Sequence, residues 1–60
     1  MFKCCKVWTL FGEDQPEVIE DAHDTHIIGG VALVVQRRDG SQVGFYLSNV
    51  RRWELIKSDE

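Results

Sequence analysis

Apolar and polar positions along this chain follow β spacing rather than helical spacing. From Phe2 to Phe11 the chain mixes Val7, Trp8 and Thr9 with other apolar residues and shows no stripe at 3.6-residue intervals, which predicts a first strand. Gly12-Glu13-Asp14-Gln15-Pro16 is turn chemistry, with Pro16 opening the next element. Glu17 to Ala22 reads as a short, polar second strand. His23-Asp24-Thr25-His26 reads as a bend or bulge leading into Ile27-Ile28.

Two turn signals organise the middle of the chain. Gly29-Gly30, between Ile27-Ile28 and Val31-Ala32, suits a turn that needs positive φ. Asp39-Gly40, between Val31–Arg38 and Ser41–Leu47, is the strongest hairpin signal present. With Asp39-Gly40 as a two-residue loop, Arg38 faces Ser41, and Leu33, Val34 and Ala32 lie opposite Tyr46, Phe45 and Leu47. That register places Leu33, Val35 and Tyr46 on one face and Ala32, Val34, Phe45 and Leu47 on the other. Both faces are then apolar, whereas a sheet with one wet side alternates. Barrel closure under a cover, or burial against a partner or a second copy, is the expected consequence.

The segment Leu47–Ile56 admits two readings. Ser48-Asn49 opens a 3-10 turn with Arg52–Ile56 returning as a final strand, or Ser48 caps a helix with an apolar stripe of Val50, Trp53 and Ile56. Turn and strand is the favoured one. A Ser-Asn-Val turn and a closing strand after meander strands resembles the ending of an SH3-like small barrel, over roughly Val31 to Ile56. The resemblance is architectural and implies a fold only. The aromatic and acidic loop residues with which SH3 domains bind proline-rich peptides have no counterpart here. The expected fold is therefore all-β: a small antiparallel meander of about five strands, as an SH3-like barrel or partly open roll with a short C-terminal helical turn.

Sixty residues make one domain (1–60, with 58–60 frayed), near the lower limit of chains that fold unaided. The two cysteines, Cys4 and Cys5, are adjacent and point to opposite faces of a strand, so they read as structural thiols rather than a disulfide. The first residues, through Lys6, hold no apolar run of signal-peptide length, and Ile27–Val35 is too short to span a membrane. A cytoplasmic protein, complete from its own start codon and of the size common among phage and prophage accessory genes, is the expectation.

Charge is segregated along the chain. Glu13, Asp14, Glu17, Glu20, Asp21 and Asp24 fall in a stretch that has no Lys or Arg between Lys6 and Arg37. They read as a solvated edge strand or as an acidic face that steers a basic partner. Arg37-Arg38 and Arg51-Arg52, with Phe45, Tyr46 and Trp53 nearby, could neutralise phosphates and stack bases. A sequence pI near 5.2 argues against a general affinity for nucleic acid.

Catalytic chemistry finds little support. His23 and His26 are spaced to face opposite sides of a strand, and no further Cys or His pair completes a metal site. Neither a nucleophile elbow nor a glycine-rich phosphate loop occurs, and 60 residues leave little room for a substrate pocket. The expected role is a non-enzymatic binding module without cofactor or small-molecule substrate, contacting a protein partner or itself through Val34, Phe45, Tyr46 and Trp53. A nucleic-acid-binding small barrel using the four arginines, and a structural homo-oligomer, are the alternatives.

Overall fold

A computed structural model describes residues 2–12 and 14–57. Six strands follow one another: β1 (Phe2–Thr9), β2 (Glu17–Glu20), β3 (Ala22–Ile28), β4 (Ala32–Arg37), β5 (Gln42–Tyr46) and β6 (Val50–Lys57). A single 3-10 turn, Leu47–Asn49, links β5 to β6, so turn and strand is the form the C-terminal segment takes. Two three-stranded antiparallel sheets result, ordered β2-β1-β6 and β3-β4-β5, and they do not close into one barrel. The described residues contain no helix long and apolar enough to cross a membrane.

One residue separates β2 from β3 and carries the chain from the first sheet to the second. Asp21 occupies the left-handed region at φ 58°, a conformation that Asp tolerates better than most residues. Its backbone N–H donates to the carbonyl of Lys3 on β1, while its own carbonyl accepts from the N–H of Arg38. The corner is thus tied to both sheets. Just beyond it, the register shifts between Ala22 and Asp24, which puts a bulge at His23. Of the bend or bulge expected over His23–His26, the bulge is the form found, inside a β3 that already begins at Ala22, and the count rises from about five strands to six.

The core lies between the sheets. Cys5, Val7 and Ile19 from the first meet Ala22, Leu33 and Val35 from the second, with Val43, Phe45, Leu47, Val50 and Leu55 packed around them. Alternation explains the selection. Cys5 pairs with Ile19 and Leu55 and faces inward, so Cys4 faces the other way, beside Glu20 and Ile56. Both cysteines are free and buried, and burial pushes the Cys5 thiol above its ordinary value, with the Glu54 backbone opposing the rise.

The β4–β5 register differs from the one expected of a two-residue Asp39-Gly40 loop. Leu33 faces Phe45 rather than Tyr46, Val34 faces Gly44 rather than Phe45, and Ala32 faces Tyr46 rather than Leu47. The loop has three residues, Arg38 to Gly40. It is closed by Arg37 N–H to the Ser41 carbonyl and by Gly40 N–H to the Arg37 carbonyl, with Gly40 at φ 93°. This pairs odd positions with odd positions. Leu33 and Val35 then share the inner face with Val43 and Phe45, and Ala32, Val34, Gly44 and Tyr46 turn outward. Phe45, expected as a partner-binding anchor, is half-buried and packs against the core.

The hairpin tip carries its own pH sensitivity. The Asp39 carboxylate accepts from the Ser41 hydroxyl (2.6 Å) and the Ser41 N–H (2.8 Å), and these bonds hold its pKa below the ordinary value. A depressed folded-state pKa means the contribution is present above the unfolded value, about 3.9, and is lost as pH falls through the folded one. The protection of the Ser41 amide, measured against the intrinsic exchange rate at each pH, is therefore expected to hold at pH 5 and to fall once the pH drops below the ordinary carboxylate range, before the sheets open. Unchanged protection at pH 2 in the still-folded protein contradicts the assignment.

Candidate functional site

Two surface regions combine exposure with organisation. The first surrounds the 3-10 turn. At its start, the N–H of Leu47 donates to the carbonyl of Val31; at its end, the carbonyl of Asn49 accepts from the N–H of Leu10, each at 2.9 Å. The turn therefore gathers the β1–β2 connection and the β3–β4 tip on either side of itself. Leu10, Phe11, Val31 and Tyr46 are all exposed there, Phe11 and Tyr46 by 79% and 72%. Ile28, Ala32 and Tyr46 form one row across the outer face of the second sheet, which extends this apolar surface along it.

Gly44 gives that face relief. A side chain at Gly44 would meet nothing within 4 Å, so the sheet is notched opposite Val34, beside the Ala32–Tyr46 pair. The notch is a groove of about 310 Å³ lined by Ala32, Gly44, Phe45 and Tyr46. The Gly29-Gly30 turn connects β3 to β4. Both glycines hold positive φ (60° and 71°), and the Val31 N–H closes the turn on the Ile28 carbonyl.

The second region is polar. Trp8 pairs with Arg52, but Thr9 pairs with Val50, so β6 carries one residue more than β1 at this point. Adjacent residues on a regular strand point to opposite faces, whereas a bulge re-aims them. Arg51 and Arg52 consequently line the same cleft, about 380 Å³ in volume, together with Trp8 and Asp14. The Arg52 guanidinium stacks on the Trp8 indole, 3.9 Å from the ring centroid.

The residues singled out from sequence are distributed unevenly between these regions. Of the four expected apolar anchors only Tyr46 lies on the surface around the 3-10 turn. Val34 is 7% exposed and Phe45 packs on the core, while Trp53 sits on the first sheet in the row of Val7 and Glu17. The acids do not share a face. Glu17 and Glu20 lie three apart on β2 and point to opposite sides, and Asp21 makes the corner. Asp24 accepts from the Thr25 N–H, and Asp14 lies among the arginines of the cleft. Glu13 lies outside the described residues.

The two arginine pairs are also far apart. Arg38 donates from its guanidinium to the Phe2 carbonyl at the start of β1, and Arg37 is half-buried behind it with its Nε atom unpartnered. Arg52 stacks on Trp8, six residues further along the same strand, or roughly 20 Å away at about 3.3 Å per residue. They form two separate basic spots. His23 and His26 are exposed on β3, and among the described residues no three His, Cys, Asp or Glu side chains converge as metal ligands would.

Sequence reasoning missed Leu10, Phe11, Val31 and Ile28 as surface residues, since each sits in or beside a strand and reads as core. Their exposure follows from how far each sheet covers the other, which no local pattern encodes. No family model matches the chain, and neither the curated proteins nor the solved structures contain a significant match to it.

Proposed function

We propose that this chain is a non-enzymatic protein-binding module that docks a partner on the apolar surface around its 3-10 turn. One observation carries the reading. Among the described residues eight apolar side chains are buried and eight large ones are exposed, and four of the latter, from three separate segments, border the turn. Scattered exposed hydrophobics are ordinary on any protein, but a cluster of several hundred Å² marks a contact surface. Tyr46 and Phe11 are the side chains suited to anchor it, being large, apolar and cheap in rotamer entropy.

The strand order supports a finer reading of the fold as an SH3-like small barrel left open. Two three-stranded sheets joined through the Asp21 corner, a three-residue hairpin and a 3-10 turn before the last strand are the features that support it. That architecture supplies a rigid frame for loops, while its function depends on the residues the loops carry.

A photo-crosslinking amino acid in place of Tyr46 tests the proposal in extract from the source cells. One discrete adduct is expected at this position and none at Glu54, on the outer face of the first sheet. Serine at Leu10, Phe11 and Val31 together is expected to remove the adduct without unfolding the domain. Equal labelling from both positions, or an adduct that survives the triple substitution, sinks the reading. An adduct of twice the chain mass identifies the partner as a second copy.

A further inference from the structure

We propose that β5 pairs with β5 of a second copy, antiparallel about a two-fold axis at Gly44, joining two three-stranded sheets into one of six strands. The contact uses the sheet edge and none of Leu10, Phe11 and Val31, so it goes beyond the docking surface proposed above. Three observations carry it.

The first is that β5 is an unprotected edge. It ends the order β3-β4-β5, and among the described residues β4 is the one strand it packs against substantially. The Arg37 N–H bond to the Ser41 carbonyl and the Leu47 N–H bond to the Val31 carbonyl flank its ladder to β4. Odd positions therefore bond β4, and Gln42, Gly44 and Tyr46 aim their backbone N–H and C=O groups outward. Edge strands are ordinarily blunted by charge, bulges or brevity. The other three edges follow that rule. β2 has four residues, two of them Glu, β3 has the His23 bulge and Asp24, and β6 carries Arg51, Arg52, Glu54 and Lys57. β5, Gln42-Val43-Gly44-Phe45-Tyr46, has neither charge nor bulge.

The second is Gly44 itself. Its φ is not positive, the ladder around it is regular, and a Cβ there would meet nothing within 4 Å. Nothing among the described residues calls for glycine at this position. A glycine inside a strand otherwise marks the close approach of another backbone.

The third is self-complementarity. Pairing about Gly44 sets Gly44 against its own copy, Gln42 against Tyr46, and Val43 against Phe45. The even positions, whose polar groups point outward, are the ones that exchange backbone hydrogen bonds in this register. Val43 and Phe45, both half-buried, close the open flank of the inner face against each other. On the outer face the exposed Tyr46 lies diagonal to Gly44 of the other copy, where an aromatic ring covers bare backbone. A foreign strand would have to bring a matching alternation, whereas a second copy supplies it by symmetry.

The contact is five residues on each side, well below a standard interface, so half-dissociation is expected on the order of 100 μM. Sedimentation velocity of the intact protein from about 1 μM to about 1 mM tests it, in about 0.15 M salt to screen the −3 charge of each copy. Dimer is expected at the upper end. Gly44→Lys has open space for its side chain in the single chain but sets two ammonium groups opposite each other across the axis. It is expected to weaken association about fivefold or more. Gly44→Glu is expected to do the same, and an equimolar mixture of the two variants to regain association. Dispersed proton–nitrogen spectra confirm that each variant is folded.

A monomer at about 1 mM overturns the proposal, as do unchanged association in Gly44→Lys and a mixture that associates no better than its components. A chain that stays monomeric while a capped hexapeptide alternating Thr and Val shifts the Gly44 amide assigns the edge to a foreign strand, and overturns it too. Failure here is separable from failure of the docking reading. Crosslinking from position 46 samples the chain in extract far below these concentrations, and the triple serine variant of Leu10, Phe11 and Val31 is expected to keep its self-association.

Discussion

Leu33→Ala is expected to leave the domain largely unfolded at 37 °C. Leu33 is fully buried on the central strand of the second sheet and ranks first among the fully buried side chains by volume. Its row partners are Ile27 and Phe45, and it is part of the core cluster with Val7, Val35 and Cys5 from both sheets. Truncating a buried leucine costs about 2–5 kcal/mol, because the removed methyl groups lose their transfer energy and a cavity remains. A domain of this length has about 3–9 kcal/mol in total at the usual stability per residue. Each kcal/mol moves the melting temperature of so small a domain by about 4–8 °C. Thermal unfolding followed by circular dichroism is therefore expected to fall by at least about 10 °C. A shift under about 5 °C would show that the two sheets do not share one core centred on this residue.

Neighbouring residues on β5 are expected to respond in opposite ways to the same substitution. Phe45→Asp places a carboxylate against Leu33 and the rest of the cluster, where it has no cation to pair with among the described core residues. Phe45 is half-buried, and an unpaired charge set against the core there is expected to cost a few kcal/mol, a large share of the stability of so small a domain. Tyr46→Asp changes a side chain that is 72% exposed on the outer face. It is expected to cost about 1 kcal/mol through lost strand preference and packing against Ala32, and to eliminate partner capture. Tryptophan emission and one-dimensional proton spectra distinguish the two outcomes. If both variants are equally stable, Phe45 does not pack against the core, and the hairpin register must be the alternative one.

That register shows where the sequence was legible and where it was not. The turn positions could be read directly, since Gly29-Gly30 and Gly40 meet a need for positive φ that few other residues satisfy. The terminal strand was legible too, because the stretch from Arg52 to Ile56 suits a strand as well as it suits a helix and the Ser-Asn pair supplies a turn. The register was misread by trusting the Asp-Gly signal to set loop length. Parity was the better guide. Val43, Phe45 and Leu47 are apolar at odd positions, as are Leu33 and Val35, and only a loop with an odd number of residues pairs them.

The candidate sites were less legible than the fold. Arg51 and Arg52 were visible as a pair, but not that a bulge would turn both toward Trp8. Bulges follow from how strand lengths match across the sheet, not from local composition. The acidic run looked like one face because its members are close in sequence. Alternation along β2 and the corner at Asp21 disperse them. Exposure of Leu10, Phe11 and Val31 depends on where one sheet stops covering the other, a property of the assembled molecule.

The pairing of Phe2 with Lys57 has a mechanical consequence. β1 and β6 run antiparallel, so the first and last described residues leave the sheet side by side. A load applied between them acts across the strand pair rather than along it. The backbone hydrogen bonds are then strained one rung at a time, from the Phe2–Lys57 end toward Trp8, in the manner of a zip. Strands loaded in this way separate at lower force than strands sheared along their length, because one rung at a time carries the load.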